Sequence, residues 1–389
     1  METKDISGPR VVVLVLDGVG VGALPDAAKF GDEGTNTLLH TAQAAGSLVL
    51  PNLTEMGLGN IQSAPGLAPS ANPKASFGRM RERSADKDTQ SGHWEMMGCP
   101  VLTPFTHFSH GFPAEIIDKF CKEAGVAKVL GNKAASGTEI LKELGPEHER
   151  TGYPIVYTSA DSVFQIAAHE EIVSLTKLYQ WGEIARKILD PYNVGRVIVR
   201  PFVGHDGKYT RTFNRRDFSM PPPGPTVLDI LKEAGVAVVG VGKIEDIFAA
   251  RGITESIHTE GNHDGMLRTA ERLKTLDRGV LFTNLVEFDS HYGHRRDPIG
   301  MAKALREFDT DLQAVLGALR EGDVLLMTSD HGNDPTFMKT TDHTREYAPV
   351  LMYQPGQKGR NLGERASFCD IGSTIAEMFH LQSPSGVKL

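Results

Sequence analysis

Three cysteines in 389 residues, Cys99, Cys121 and Cys369, are odd in number and form no CxxC or zinc-type spacing. A disulfide framework is therefore not what stabilises the chain, and a reducing, cytoplasmic setting is expected. Basic excess is also missing: 41 Lys and Arg face 49 Asp and Glu, a formal charge of −8. A chain of that sign has no non-specific hold on nucleic acid, although a small anion can still be bound locally. No apolar run is long enough to span a membrane. The first strong one, Val11 to Leu16, is interrupted at once by Asp17 and Gly18, and the mixed charges of METKDISGPR before it are not those of a signal peptide. Internal repeats and low-complexity tracts are absent too. What is present is a soluble, globular composition, 40% hydrophobic and 23% charged. By the usual ~100 to 200 residues per domain, the chain is long enough for two domains and a large core.

Val11 to Leu16 is a continuous β-branched and leucine run, the pattern of a strand buried on both faces of a parallel sheet. Val236 to Val241, Val280 to Val286, Val324 to Met327 and Pro349 to Tyr353 read the same way. Helical periodicity lies between several of them, at Thr226 to Ala234 and at Ile299 to Arg320. The second places Ala302, Leu305, Phe308, Leu312, Val315, Leu316 and Leu319 on one face. Alternating strand and helix predicts an α/β core with a mostly parallel sheet flanked by helices. From Leu102 to Pro223 the pattern is broken and rich in turns, ending in MPPPGP. That segment, 102–223, is read as an inserted smaller domain, leaving 1–101 and 224–389 as a discontinuous core.

Three predicted strands run into aspartates: VVVLVL into Asp17, VLFTNLVEF into Asp289, and VLLMTS into Asp330. The carboxyl ends of parallel strands form a ligand crevice, so carboxylates far apart in sequence can converge there. Histidines accompany them: His294 follows Asp289, His331 follows Asp330, and His343 lies downstream in TTDHTREYAP. Imidazole with carboxylate suits Mn²⁺ or Zn²⁺ better than Ca²⁺, and two such ions ~3.5 to 4 Å apart can clamp a phosphate during in-line displacement. Taken singly, Asp17 reads equally well as a turn or helix-capping residue and His294 as a solvated loop residue. A buried Asp330-His331 pair is harder to explain without a partner, because burying charge is costly, and taken jointly the residues favour a metal. The glycines of DGVGVG do not make a GxGxxG dinucleotide loop.

Thr89 lies in ADKDTQSGHWEMMG, before a possible helix. A hydroxyl needs a base or a metal to act as a nucleophile, and a helix N-terminus there would offer N–H groups to phosphate. The plain alternative is that Thr89 or Ser91 is an N-cap. His93 and Trp94 fit either the core or a substrate wall.

DGVGVGALPDA, KDTxxGHWE, TSADSVFQIA, RPFVG, DSHYGHRRD, DHGNDPT and TDHTREYAPV together resemble the phosphopentomutases of the alkaline phosphatase superfamily, over nearly the whole chain. The resemblance implies an alkaline phosphatase-like core with an α/β cap inserted. It implies two divalent ions, typically manganese in this family, one on Asp17, Asp330 and His331 and the other on Asp289, His294 and His343. Thr89 would carry the phosphoryl group, a sugar bisphosphate would serve as activator, and the substrates would be the 1- and 5-phosphates of ribose and deoxyribose. Arg200, Arg211 and Lys243 lie in segments resembling phosphate-binding ones, and Asp161 in one that faces sugar hydroxyls. On sequence alone each reads equally well as a solvated or turn residue. Ser91 stands where the family often has a second threonine. The partners implied are small-molecule pentose phosphates, with no nucleic acid and no membrane, and the oligomeric state is left open between a monomer and an assembly. A phosphomonoesterase would use the same metal site with water as the acceptor. A related phosphoglycerate mutase would usually have serine as nucleophile, and a metal-stabilised binding protein would have no use for Thr89.

Overall fold

In the computed structural model, residues 8–159 and 162–389 are described. The chain divides into two compact units, Met1–Thr103 with Pro222–Leu389, and Pro104–Pro221. Fourteen strands occur among the described residues. In the larger unit the chain opens with β1 (Arg10–Leu16) and β2 (Ser76–Met80). The smaller unit contributes β3 (Leu130–Ala134), β4 (Ile155–Thr158), β5 (Val163–His169), β6 (Arg196–His205), β7 (Lys208–Arg211) and β8 (Arg216–Ser219). The chain then returns with β9 (Ala237–Val241), β10 (Glu255–Ile257), β11 (Gly279–Leu285), β12 (Val324–Thr328), β13 (Ala348–Tyr353) and β14 (Asn361–Arg365).

The larger unit is built on one sheet in the order β10-β9-β11-β1-β12-β13-β2-β14. The first five strands are parallel, whereas β13 is antiparallel to both neighbours and β2 is parallel to β14. β1, β11 and β12 are buried along their whole length, which is why their sequences run apolar without alternation. The five predicted strands of this sheet match β1, β9, β11, β12 and β13 to within about a residue at each end. The reversal of β13 has no signature in its equally apolar run. β2, β10 and β14 were not predicted, because SFGRM, ESI and NLGER mix polar and apolar residues at the sheet margins.

Helix Pro298–Ala318 starts from Asp297, whose side chain accepts from the Gly300 amide. Its Met301, Ala302, Leu305, Phe308 and Leu312 share a core with Val12 and Leu14 of β1. On the other face Phe282 stacks against His93 of helix Thr89–Met96, with ring centroids 5.7 Å apart. Helix Val227–Glu233 begins with a reciprocal capping box between Thr226 and Asp229. Among the described residues no helix is long and apolar enough to cross a membrane.

The smaller unit has its own sheet, β3-β4-β5-β6-β7, with β8 also paired to β6. Helices Ala114–Ala124 and Leu175–Leu189 bury Phe120, Trp181 and Ile188 against Phe164 and Val197. Helix Gly137–Thr151 buries Ile140 and Leu141 with Tyr157 and Phe202.

Candidate active site

The three central strands of the large sheet, β11, β1 and β12, deliver the strand-end aspartates. Val15 pairs with Thr328, so two residues on Asp17 stands level with Asp330. Leu16 pairs with Leu285, and Asp289 follows four residues later in a single turn of wide helix, Phe288–Gly293. Such turns recur at functional sites because they re-aim side chains. Gly18, at φ +76°, bends the chain away from Asp17, and a Cβ there would meet Asp289 and Asn333 at 3.3 and 3.2 Å.

Asp17, Asp330 and His331 form one buried group whose ligand atoms lie within 4.8 Å of one another. The Nδ1 hydrogen of His331 is directed to the Gly332 carbonyl at 3.0 Å. That leaves the Nε2 lone pair among Thr89 Oγ1 at 3.2 Å, Asp17 Oδ1 at 3.3 Å and Asp330 Oδ2 at 3.5 Å. The second group is Asp289, His294 and His343. His294 Nδ1 donates to the Thr341 carbonyl at 2.6 Å and presents Nε2 to Asp289 Oδ2 at 3.2 Å. His343 Nε2 lies 3.5 Å from Asp289 Oδ1. The Gly332 and Thr344 backbones exchange two hydrogen bonds, of 3.1 and 2.7 Å. They draw His343 back over His331, ring centroids 4.0 Å apart, which joins the two groups.

The electrostatics call for positive charge in this place. Burial, with Asp330 alongside, pushes the Asp17 carboxyl above its ordinary pKa. Burial also works to raise Asp289, but His343 and His294 outweigh it and hold that carboxyl well below the usual range. His331 is likewise disfavoured as a cation by burial, yet Asp330 and Asp17 overcome this and raise it well above an ordinary histidine. Asp17 Oδ1 and Asp330 Oδ2 are buried and accept no hydrogen bond. Asp330 Oδ2 does lie 3.1 Å from His93 Nδ1, but that hydrogen points to the Thr89 carbonyl at 2.9 Å. Buried carboxylate oxygens left bare, beside a correctly turned imidazole, fit a divalent cation.

Thr89 is the first residue of helix Thr89–Met96. The N-cap is neither Thr89 nor Ser91 but Asp88, whose carboxylate takes the amides of Gln90 and Ser91 and the Ser91 hydroxyl, at 2.9, 3.2 and 2.7 Å. The Gly92 amide bonds to the Asp88 carbonyl. Those three amides are thus committed, against the expectation that the helix start would offer them to phosphate. The Thr89 hydroxyl, relieved of capping, is turned to His331. A Cβ on Gly92 would fall 2.2 Å from the Asp330 carbonyl oxygen. Only glycine lets this helix approach the β12 end so closely.

Several supporting residues escape a sequence reading. Asn284 donates to Asp17 Oδ2 at 2.7 Å and Asn333 to Asp289 Oδ1 at 2.6 Å. Arg296 holds Asn333 Oδ1 at 2.6 Å, the Gly293 and Asp334 carbonyls, and the Thr340 and Asp342 carbonyls. It thereby ties the segment bearing His294 to that bearing His343. The only hint in sequence is their nearness to the aspartates. Trp94 is core, donating to the Ile247 carbonyl at 2.8 Å.

Of the expected phosphate-binding cations, Arg200 and Arg211 belong to the smaller unit. Both lie near the buried Tyr157 ring with Arg215, which was not predicted. Arg200 donates to Gln165 at 2.7 Å, and burial lowers its pKa, with Arg215 and Arg211 acting in the same direction. Lys243 is exposed, just past β9 in the larger unit. Asp161 lies outside the described residues.

The chain matches the model of the Metalloenzyme superfamily over residues 9–383. It is 57% identical over 379 residues to a phosphopentomutase of Anaeromyxobacter dehalogenans (strain 2CP-C), covering 97% of each chain. It is also 57% identical over 374 residues to a phosphopentomutase of Caldanaerobacter subterraneus subsp. tengcongensis, covering 96% of this chain and 94% of that one. The solved PH0037 protein from Pyrococcus horikoshii overlays at a TM-score of 0.49 with 14% identity, over 96% of this chain and 97% of that one.

Proposed function

The chain belongs to the phosphopentomutase family, and on that premise we propose that it interconverts ribose 1-phosphate and ribose 5-phosphate through a phosphorylated Thr89 and a 1,5-bisphosphate. The 2-deoxyribose phosphates are second substrates. The net reaction is an isomerisation made of two phosphoryl transfers. In the first, the free sugar hydroxyl attacks phospho-Thr89, the bond from phosphorus to Thr89 Oγ1 breaks, and the hydroxyl proton is released as Thr89 regains its own. In the second, Thr89 Oγ1 takes the other phosphoryl group from the bisphosphate, leaving the isomerised monophosphate and the phosphorylated enzyme. A sugar bisphosphate primes the cycle.

The observation that carries this reading is the Thr89 hydroxyl 3.2 Å from His331 Nε2, beside two bare carboxylate oxygens. Asp17, Asp330 and His331 would hold one divalent ion, and Asp289, His294 and His343 a second, with manganese suited to the mixed oxygen and nitrogen donors. Bound there, such ions stabilise charge on the transferring phosphoryl group and lower the pKa of the Thr89 hydroxyl. Arg200, Arg211 and Lys243 are assigned to the substrate phosphate and Asp161 to the sugar hydroxyls, arginine being suited to two-pronged contacts with phosphate. The insert is assigned the role of a cap that keeps water from phospho-Thr89 and retains the bisphosphate while it reorients. The setting assigned to it is cytoplasmic.

Incubation with ribose 1,5-bisphosphate should yield a peptide phosphorylated at Thr89, read by mass spectrometry. Thr89→Ala should lose both the mark and several orders of magnitude in isomerase activity. Full activity in that variant would remove Thr89 from the reaction.

A further inference from the structure

We propose that the smaller unit carries a binding site of its own for a single transition-metal ion of the zinc type, made by His169, Glu171 and His205. One ligand atom from each of these residues lies within 4.8 Å of the others. The site is placed by the sheet. His169 is the last residue of β5 and His205 the last of β6, and these strands are parallel neighbours with His169 paired to Phe202. Both imidazoles therefore stand at the same carboxyl edge, with ring centroids 5.2 Å apart, and Glu171 follows two residues past His169.

What distinguishes this cluster from chance surface charge is the engagement of each ring's second nitrogen. A ligating histidine almost always donates its other N–H to a carbonyl or carboxylate, which fixes the tautomer and aims the lone pair. His169 Nε2 donates to the Gly204 carbonyl at 2.9 Å, which turns the Nδ1 lone pair towards the Glu171 side. There it accepts a hydrogen bond of 3.3 Å from the Glu171 amide, which a bound ion would displace. His205 Nδ1 donates to Glu149 Oε2 at 2.8 Å and leaves Nε2 facing Glu171 Oε2 at 3.8 Å. Glu149 is in turn held by the Tyr209 hydroxyl. The carboxylate, imidazole and open lone pair thus line up as a metal site requires, on residues that the phosphoryl transfer does not use.

Two imidazole nitrogens and one carboxylate oxygen select Zn²⁺, Co²⁺ or Ni²⁺ over Mg²⁺ or Ca²⁺, and three protein donors leave a position for water. An ion here would cross-link the ends of β5 and β6. Through Glu149 it would also tie them to helix Gly137–Thr151.

The test is a count of ions on the full-length chain. Protein stripped with a chelator is titrated with Zn²⁺, dialysed to equilibrium and analysed for metal, alongside His205→Ala and Glu171→Gln. Both side chains are exposed, so the variants should fold, which circular dichroism checks. His205→Ala should bind one ion fewer than the parent, and Glu171→Gln should hold that ion about 10-fold or more weakly. Both should isomerise ribose 1-phosphate at the parental rate in saturating Mn²⁺. Because the loss is measured against the parent, the outcome does not depend on how many ions the Asp17 and Asp289 groups take. Equal stoichiometry and equal affinity in all three proteins would overturn the site.

Discussion

Asn333 donates a single hydrogen bond of 2.6 Å to Asp289 Oδ1, and Arg296 grips its other amide atom at the same distance. A carboxylate offered to a cation must keep its oxygens aimed, and this pair of bonds does the aiming. Asn333→Ala should therefore weaken divalent-ion binding by about 10- to 100-fold, read by calorimetric titration with Mn²⁺. An unchanged affinity would make Asn333 a packing residue only. At this scale the residues proposed to bear the chemistry were named from sequence. Asp17, Asp289, Asp330, His294, His331 and His343 fall into two groups; all but His343 were marked by residue type together with a place in the segment that follows a predicted strand. Asn284, Asn333 and Arg296 were not readable. An asparagine or arginine, whether in a loop or, like Asn284, within β11, says nothing until its partner is known, and the partners of Arg296 lie up to 46 residues away.

The strands of the larger unit have two ends with different tasks. At the carboxyl end charges converge with oxygens left bare. At the amino end of β1, Arg10 is buried with Asp323, which precedes β12, and donates to it through Nε at 3.0 Å. This second pair is closed, with Asp323 also accepting from the Arg320 amide at 2.7 Å. Asp323→Ala would leave a buried guanidinium without its counter-charge, at a cost of about 3–5 kcal/mol. Denaturant unfolding should show that loss while the turnover per folded molecule stays at the parental value. A small stability change would mean that water reaches Arg10. Helix Thr89–Met96 illustrates how an element boundary decides which side chain caps and which is left to other contacts. With Asp88 as the cap, Thr89 lies inside the first turn and its hydroxyl is available; one residue later, Thr89 itself would be spent on the backbone.

At the scale of the molecule, the insert is the feature proposed to make a transferase out of a phosphatase-like site. The larger unit has its own core, centred on β1 and helix Pro298–Ala318. Joining Thr103 directly to Pro222 should therefore leave divalent-ion binding largely intact. Isomerisation of ribose 1-phosphate should be abolished and slow release of inorganic phosphate exposed, because water could then reach phospho-Thr89. The measured quantity is phosphate released per sugar phosphate isomerised, with and without residues 104–221. A metal-loaded core that isomerised at the full-length rate, with no added phosphate release, would leave the insert without this role.

The sequence by itself determined the strand-and-helix grammar of the core, since Val11 to Leu16 or Val280 to Leu285 can satisfy their apolar length only in a sheet covered on both faces. It also supplied the acids, the imidazoles and the hydroxyl from which the proposed site is built. Tertiary structure alone decided that β11, β1 and β12 are neighbours, which levels Asp17 with Asp330, and that β13 runs the other way. It alone brought His169 and His205 to one edge. The physical reason is range. Burial and periodicity are properties of a residue and its near neighbours and so are written locally. Strand order and the partner of a buried carboxylate such as Asp17 depend on contacts made across hundreds of residues, and no local pattern encodes them.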